Sequence, residues 1–440
     1  GDSPYQSPAS VAGNPYFIDP ALLCEEGLLT QEELQAHLHD TPRVDYGWLF
    51  ENRYPLLRTA YARFLKSGAH KSGAYRAFLK KTADWIEDYA LFMALKVHYN
   101  FAPWYEWAPA HRDVRAARAC AAAFEEDCGF FRFLQFAFFS QWSALTAYAH
   151  KNGITIIGDM PIYVAHDSMD VWQARDQFLL DERGYPTVVA GCPPDAFAPD
   201  GQLWGNPIYN WPKMEEEGFV WWEKRVKAAF SLYDILRIDH FRGFAGYYNI
   251  PYGESTARGG KWDSAPGIAL FRTLRERFPR ARIIAEDLGF ITDDVRALLS
   301  DTGFPGMKIL QFAFYDEDSE YLPRTYQTDN CVVYTGTHDN RTTLGWLYDR
   351  GYDPRVRFER AVPAYRGAKD LDRIIRYALD SRADLCIIPM QDYLELGEEG
   401  RMNLPGSQTD KNWTWRAKPG FASKELGEYI LEITKRFERI

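Results

Sequence analysis

Three short apolar runs in the second half of the chain each end abruptly in an acidic residue. They occupy residues 234–242, 281–289 and 331–340, and the acids are Asp239, Glu286 and Asp339. Asp239 and Glu286 are 47 residues apart, and Glu286 and Asp339 are 53 apart. A βα unit needs about 30 residues, so each interval holds one or two units. Acids that follow parallel strands gather at the carboxyl end of an α/β barrel, where active sites form. Any one of them alone could equally be a solvated strand cap.

The rest of the chain alternates in the same way. Strand-like runs lie near residues 16, 154, 235, 283, 308, 332 and 386. Helical patterns precede several of them, at about 219–231, 267–278, 292–300 and 370–380. Strands alternating with helices predict a parallel sheet, and a (β/α)8 TIM barrel needs eight strands. Seven are visible and the chain opens in turn-forming residues, so we expect the first barrel strand upstream of Gly1 in a longer natural chain.

Two insertions interrupt the alternation. Residues 31–150 are mostly helical in pattern, especially over 75–99 and 114–150. Residues 160–215 are irregular and rich in Trp, Phe and Pro, which is typical of a functional lid. About fifty residues follow the last strand, too few for a C-terminal β-sandwich domain. We therefore expect one catalytic barrel domain, 1–440, with both insertions near its C-terminal face.

Composition excludes several classes of protein. The formal net charge of −10 disfavours a nucleic-acid partner. No apolar run reaches the roughly 18 residues of a membrane span, and no secretory signal is visible. The six cysteines form no CxxC pair, which favours a reducing cytoplasm. Neither GxGxxG nor GxxxxGK[ST] occurs, so no nucleotide cofactor is implied. The 14 Trp favour either sugar binding or an aromatic core.

The acids are suited to chemistry at a glycosidic bond. One carboxyl group can protonate the leaving oxygen while a second attacks the anomeric carbon or activates water. Arg237 and Asp239 share one face of a strand, so a cation would keep that carboxylate ionised. His338 could donate to a sugar hydroxyl, or it could be a satisfied buried histidine. A metal site is the rival explanation, but HExxH spacing is absent and no metal is expected. Its possible ligands are Asp159, Asp239, His240, Glu286, His338 and Asp339.

Nine blocks, in order, closely resemble the 4-α-glucanotransferases, also called amylomaltases, of the α-amylase-like clan. They are GDSPYQS (1–7), GNPYFID (13–19), IIGDMPIYVAHDS (156–168), GQLWGNPIYNW (201–211), LRIDHFRGF (236–244), IIAEDLG (283–289), GFPGMKILQFAF (303–314), YTGTHDN (334–340) and RMNLPG (401–406). Two departures concern loops: Arg341 follows THDN where an acid is common, and Cys192 replaces an aliphatic residue. The order and number of blocks make the resemblance specific.

The resemblance implies a role for each matching residue. Asp239 matches the nucleophile, Glu286 the general acid/base, and Asp339 the acid that holds sugar hydroxyls and stabilises the oxocarbenium-like state. Further matches bind substrate: Tyr5, Asp159, Gln202, Trp204, Asn206, Arg237 and His338.

The implied activity is transfer of α-1,4-glucan segments between maltodextrins through a glycosyl-enzyme. Malto-oligosaccharides, starch or glycogen would be the partners. A lid that excludes water favours transfer over hydrolysis. Two alternatives stay open, namely a maltodextrin hydrolase of the same fold and a glucan-binding protein without activity. The sequence does not indicate an oligomeric state.

Overall fold

The computed structural model describes residues 2–194, 198–289, 291–348, 355–363, 365, 368–407 and 409–440. The chain forms two compact units. The first comprises Gly1–Asp40 and Asp45–Arg282, and the second comprises Thr41–Val44 and Ile283–Ile440.

The first unit is rich in helices and also contains two groups of strands. Its helices are α1 (Pro20–Glu25), α2 (Gln31–Ala36), α3 (Tyr46–Lys66), α4 (Gly73–Lys81), α5 (Ile86–His98), α6 (Pro109–Arg112), α7 (Val114–Ala119), α8 (Glu125–Lys151), α9 (Met169–Gln173), α10 (Trp211–Glu216), α11 (Val220–Phe230) and α12 (Gly267–Arg277). Its strands are β1 (Ile157–Met160), β2 (Val188–Cys192), β3 (Gln202–Pro207), β4 (Ile235–Ile238), β5 (Gly246–Pro251) and β6 (Lys261–Ser264).

Helices α2–α8 cover the region predicted to be helical, with breaks that the sequence pattern did not show. The pattern over 75–99 is divided, because Thr82 leaves the helical conformation at φ −105°, ψ 11°, and the next helix begins only at Ile86. Helix α8 buries Phe130, Phe131 and Phe133, each 1% exposed, on several of its sides. That burial agrees with the high density of phenylalanine in this segment.

The prediction of a strand near residue 16 is wrong. Residues Pro15–Phe17 form a single 3-10 turn. Proline at the first position presets a helical φ, and the Asn14 side chain accepts from the Tyr16 N–H at 3.0 Å. The Asp19 carboxylate then accepts from Ala21 N–H at 2.8 Å and caps α1. Capping side chains on both sides of this segment favour turns over a strand.

The 160–215 stretch differs from the irregular region that we expected. It contains β2 and β3, which join β5 and β6 in an antiparallel sheet of order β3-β2-β5-β6. The pairing of β2 with β3 shifts register between Val189 and Gly191. A Cβ on Gly191 would lie 2.1 Å from the Gln202 carbonyl oxygen, so only glycine fits there. A short strand with a glycine and an irregular register lacks the alternation that predicts strands.

Parallel strands β1 and β4 form the second group in this unit, with Asp159 paired to Arg237. All four residues of β4 are buried. The turn after β1 is held from α11 by Arg225, which is 4% exposed and donates to the Ile162 carbonyl at 2.7 Å. Tyr209 donates to the same carbonyl at 2.6 Å. These bonds fix the backbone that follows β1.

The second unit has the predicted alternation of strands and helices. Its strands are β7 (Ile283–Ala285), β8 (Gly306–Ile309), β9 (Cys331–Tyr334) and β10 (Leu385–Ile387), and its helices are α13 (Asp293–Thr302), α14 (Thr343–Leu347), α15 (Arg355–Ala361), α16 (Asp370–Leu379), α17 (Met390–Tyr393) and α18 (Lys424–Arg436). Strands β8, β9 and β10 form a parallel sheet in the order β10-β9-β8. Phe314, Val333, Trp346 and Ile374 belong to its apolar core.

Candidate active site

The carboxyl end of β4 carries an ion-paired acid. Asp239 directly follows the strand, and its N–H donates to the Met160 carbonyl at 3.0 Å. Arg237 donates from Nη2 to Asp239 Oδ1 at 3.2 Å and from Nη1 to Asp159 Oδ2. The Arg237 side chain is 10% exposed, while that of Asp239 is 19% exposed. One nearly buried guanidinium thus holds two carboxylates in place, and positive charge beside a carboxylate favours its ionised form.

His240 follows Asp239 in the left-handed backbone conformation, at φ 52°. Its ring meets Trp204 edge-on, with centroids 4.9 Å apart and planes at 89°. Desolvation, together with the nearby Arg242, lowers the pKa of His240 to about 3. The imidazole is therefore neutral at neutral pH, and Arg237 supplies the positive charge next to Asp239. Strained backbone of this kind is concentrated at functional sites.

The three predicted binding residues on β3 are spaced two apart, but Gly205 lies between Trp204 and Asn206 at φ 78°, so the regular alternation of faces is interrupted there. Trp204 Nε1 donates to Gln202 Oε1 at 3.1 Å. Asn206 is 7% exposed, and its amide donates to the Val164 carbonyl at 2.9 Å. The side chain of Asn206 is thus buried and bonded to the backbone, whereas the side chains of Gln202 and Trp204 are only partly buried. Tyr5 lies in the 3-10 turn Pro4–Gln6 and is half-buried.

The carboxyl end of β7 carries two consecutive acids with different environments. Asp287 Oδ1 accepts from the Met307 N–H at 2.6 Å, and a Cβ on Gly306 would lie 2.4 Å from its Oδ2. Burial raises the pKa of Asp287, and the Met307 N–H partly offsets that effect. Glu286 is partly exposed, and its Oε1 accepts from the Leu288 N–H at 2.8 Å. Asp287 thus secures the turn to β8.

At the carboxyl end of β9, the carboxylate of Asp339 accepts a hydrogen bond from a neutral amide. Asn403 Nδ2 donates to Asp339 Oδ1 at 2.7 Å, and Arg401 donates to the Asp339 backbone carbonyl at 3.2 Å. His338 Nε2 lies 3.5 Å from the same Oδ1. The Asp339 side chain is 35% exposed. A carboxylate fixed by an amide and still open to solvent can accept further hydrogen bonds from a bound ligand.

His338 has an aromatic neighbour and a backbone anchor. Its ring centroid lies 5.4 Å from that of Trp413, with the planes at 43°. Its carbonyl accepts from the Asn403 N–H at 3.1 Å. The side chain is 27% exposed, so the alternative of a buried histidine does not hold.

Several residues that shape these strand ends were not assigned a role from the sequence. Asn403 and Arg401 lie within the RMNLPG block, and membership of that block was the one feature of the sequence that could have pointed to them. Arg225 was not identified, because it acts on the segment after β1, which is about sixty residues earlier in the chain. In the part of the chain that the structure describes, no three His, Cys, Asp or Glu residues are grouped as a metal site would require.

The comparisons with known proteins agree with one another. A sequence profile described as 4-alpha-glucanotransferase matches residues 1–422. The 4-alpha-glucanotransferase of Clostridium butyricum is 43% identical, covering 100% of this chain and 91% of the relative. That of Thermus thermophilus is 44% identical, covering 100% and 89%.

A solved structure shows the same fold. The amylomaltase from Streptococcus agalactiae in complex with acarbose superposes with a TM-score of 0.94 and 38% identity, covering 99% of this chain and 89% of that chain. This likeness confirms the expected fold class, an α/β barrel of the α-amylase-like clan. The family profile and the full-length relatives lead to one conclusion: the chain belongs to the 4-alpha-glucanotransferase family.

Proposed function

We propose that Asp239, Glu286 and Asp339 carry out the transfer of α-1,4-glucan segments that characterises this family. The observation that carries the proposal is the arrangement at the end of β4. Asp239 is held by the nearly buried guanidinium of Arg237 and its carboxylate stays partly accessible. Such an environment keeps a carboxylate ionised and oriented, which a nucleophile requires.

In the first step Asp239 attacks the anomeric carbon of the donor glucan. A bond forms between its carboxylate oxygen and that carbon while the glycosidic bond breaks. Glu286 gives its proton to the departing O4, so the leaving chain departs as a neutral alcohol. The products are a β-glucosyl ester on Asp239 and an ionised Glu286.

In the second step the 4-hydroxyl of an acceptor glucan attacks the same carbon. Glu286 takes the hydroxyl proton, the ester bond to Asp239 breaks, and a new α-1,4 bond forms. Two inversions leave the anomeric configuration unchanged. Water in place of the acceptor would give hydrolysis, and we propose that Trp204 and its neighbours in 160–215 disfavour that outcome by restricting water.

Asp339 would act by holding sugar hydroxyls. Its Oδ1 is already fixed by the Asn403 amide at 2.7 Å, so the carboxylate is oriented before substrate binds. His338 would donate to a hydroxyl of the same sugar. Hydrogen bonds to hydroxyls that strengthen as the oxocarbenium-like state forms contribute several kcal/mol in glycosidases.

The proposed substrates are malto-oligosaccharides and the longer glucans of starch or glycogen. The similarity to an amylomaltase solved with acarbose supports this choice. Among the described residues, no helix is long and apolar enough to cross a membrane. All six cysteines have free thiols, in keeping with a reducing compartment, and we place the enzyme in the cytoplasm.

Incubating the protein with pure maltotriose tests the proposal. We expect longer oligosaccharides to appear together with glucose and maltose when the products are separated by size. Products no longer than the substrate would mean hydrolysis, and water would then be the normal acceptor. An unchanged substrate would contradict both activities.

A further inference from the structure

A buried carboxylate with no role in the chemistry above lies beyond the end of β10. Asp392, in α17, is 1% exposed. Its Oδ2 accepts from the hydroxyls of Thr335 at 2.6 Å and Thr343 at 2.7 Å, and its Oδ1 accepts from the Thr343 N–H at 3.0 Å. Within the described residues, the groups that act on this carboxylate are Thr335 and Thr343, and neither carries a charge. Every bond shown to the carboxylate therefore comes from these two threonines.

The two threonines are the two ends of the segment that carries His338 and Asp339. Thr335 is the first residue after β9 and is fully buried, and Thr343 is the first residue of α14 and is 1% exposed. By bonding to both, Asp392 closes residues 335–343 into a ring. His338 and Asp339, which are proposed to contact the sugar, belong to this closed segment. Fixing both of its ends therefore limits how far their side chains can move.

An isolated buried carboxylate is a costly way to hold a protein together. Removing an acid from water without a cation is unfavourable, and apolar replacements of buried polar networks are often neutral or stabilising. Burial indeed raises the pKa of Asp392, against the opposing effect of the threonine hydroxyls. A fixed position for the segment is a benefit that an apolar side chain would not provide, because hydrogen bonds have defined directions.

We propose that Asp392 is a positioning residue for the transfer reaction, acting through the 335–343 segment on Asp339 and His338. Other contacts fix the middle of the segment: Gln311 donates to the Arg341 carbonyl at 2.9 Å, and Asn403 holds Asp339. Asp392 is distinguished by its bonds to both ends. The inference rests on the proposed role of Asp339.

The test compares Asp392→Asn, Thr343→Val and Thr343→Ser with the wild-type chain in steady-state disproportionation of maltotriose. We expect kcat to fall about 10²-fold in Asp392→Asn and about 10-fold in Thr343→Val, because small displacements of a reacting group have effects of that size. We expect KM to change by less than about twofold, since a positioning defect lowers kcat rather than uniform binding. Thr343→Ser keeps the hydroxyl that donates to Asp392, so its kcat should equal that of the wild-type chain.

Asp372→Asn is the matched control in the same unit. Asp372 accepts from Tyr429 of α18 and, at 2.9 Å, from Arg376 of its own helix α16, so this substitution also weakens hydrogen bonds to an acid. We expect a lower melting temperature and an unchanged kcat. An unchanged kcat in Asp392→Asn would overturn the inference, as would an equal loss in Asp372→Asn at equal stability. If Asp392→Asn does not fold, Thr343→Val with a wild-type kcat would overturn it.

Asp339→Ala separates this inference from the proposed function. Turnover retained in Asp339→Ala would overturn the role of Asp339 itself. An inactive Asp339→Ala together with a fully active Asp392→Asn would leave the proposed function intact and reject only the positioning role.

Discussion

The ends of β4 and β9 hold their acids by opposite means. At β4 a cation two residues earlier on the same strand, Arg237, donates to Asp239, and Arg237 also binds Asp159 on the paired strand. At β9 Asp339 accepts hydrogen bonds from the neutral amide of Asn403, 64 residues along the chain, and from Arg401, which donates to its backbone carbonyl. Charge fixes the first acid, and hydrogen-bond direction fixes the second.

This difference matches the two proposed tasks. A nucleophile must be ionised, and a guanidinium at 3.2 Å favours that state. A residue that receives sugar hydroxyls needs a fixed orientation more than a neighbouring cation, and an amide donor provides orientation without strong charge. Removing the support should therefore affect the two acids differently, and four substitutions test that contrast.

The largest effect is expected for Asp239→Asn. An amide cannot form the glycosyl ester at a useful rate, so we expect kcat to fall by at least about 10⁴-fold. The fold should persist because Arg237 keeps its bond to Asp159. Disproportionation of maltotriose and circular dichroism measure the two quantities. More than trace turnover by a folded Asp239→Asn would reject Asp239 as the nucleophile.

Arg237→Leu should have the next largest effect. It leaves Asp159 and Asp239 close together without the cation that binds both. We expect kcat to fall about 10²-fold or more, since the charge beside the nucleophile is lost. Arg237→Lys keeps the charge but cannot reproduce two directed bonds, so it should recover only part of the rate. A wild-type rate in Arg237→Leu would show that charge does not matter at the end of β4.

Asn403→Leu should have a smaller effect, about 10-fold on kcat. It removes the amide donor to Asp339 and keeps a side chain of similar size, while the backbone N–H of residue 403 still binds the His338 carbonyl. A hydrogen bond to a charged group contributes about 1.5 kcal/mol, and losing that amount corresponds to roughly this factor. Asn330→Leu removes another amide bond, to the Gly303 carbonyl, and is the control expected to leave kcat unchanged. A loss as large as that of Arg237→Leu would mean that both ends depend on their supports equally.

The same contrast explains how much could be predicted from the sequence. The ion pair at the end of β4 could be predicted because Arg237 and Asp239 are two residues apart in a strand, where side chains alternate between faces. The strands near residues 283, 308, 332 and 386 could be predicted from their apolar runs. Asn403 and Asp392 could not, because their partners are 49–64 residues distant and only the fold brings them together. Strands β2 and β3 were missed since Gly191 and a shifted register hide the alternation.

The smallest effect is expected at the opposite end of β4, and it completes the contrast. Asp234 precedes the strand, accepts from the Ile156 N–H at 2.8 Å and pairs with His150 at 2.9 Å. These contacts lower the pKa of Asp234 below its ordinary 3.8. A lowered pKa of an acid in the folded state adds stability above 3.8, and that stability disappears as pH falls through the folded value. Asp234→Asn should therefore lower the melting temperature by about 1–3 °C at pH 7, with kcat unchanged. The difference from wild type should vanish well below pH 4. Because residues at the amino end of a barrel strand serve stability, a loss of kcat in Asp234→Asn would mean that the two ends of β4 are not separate in function.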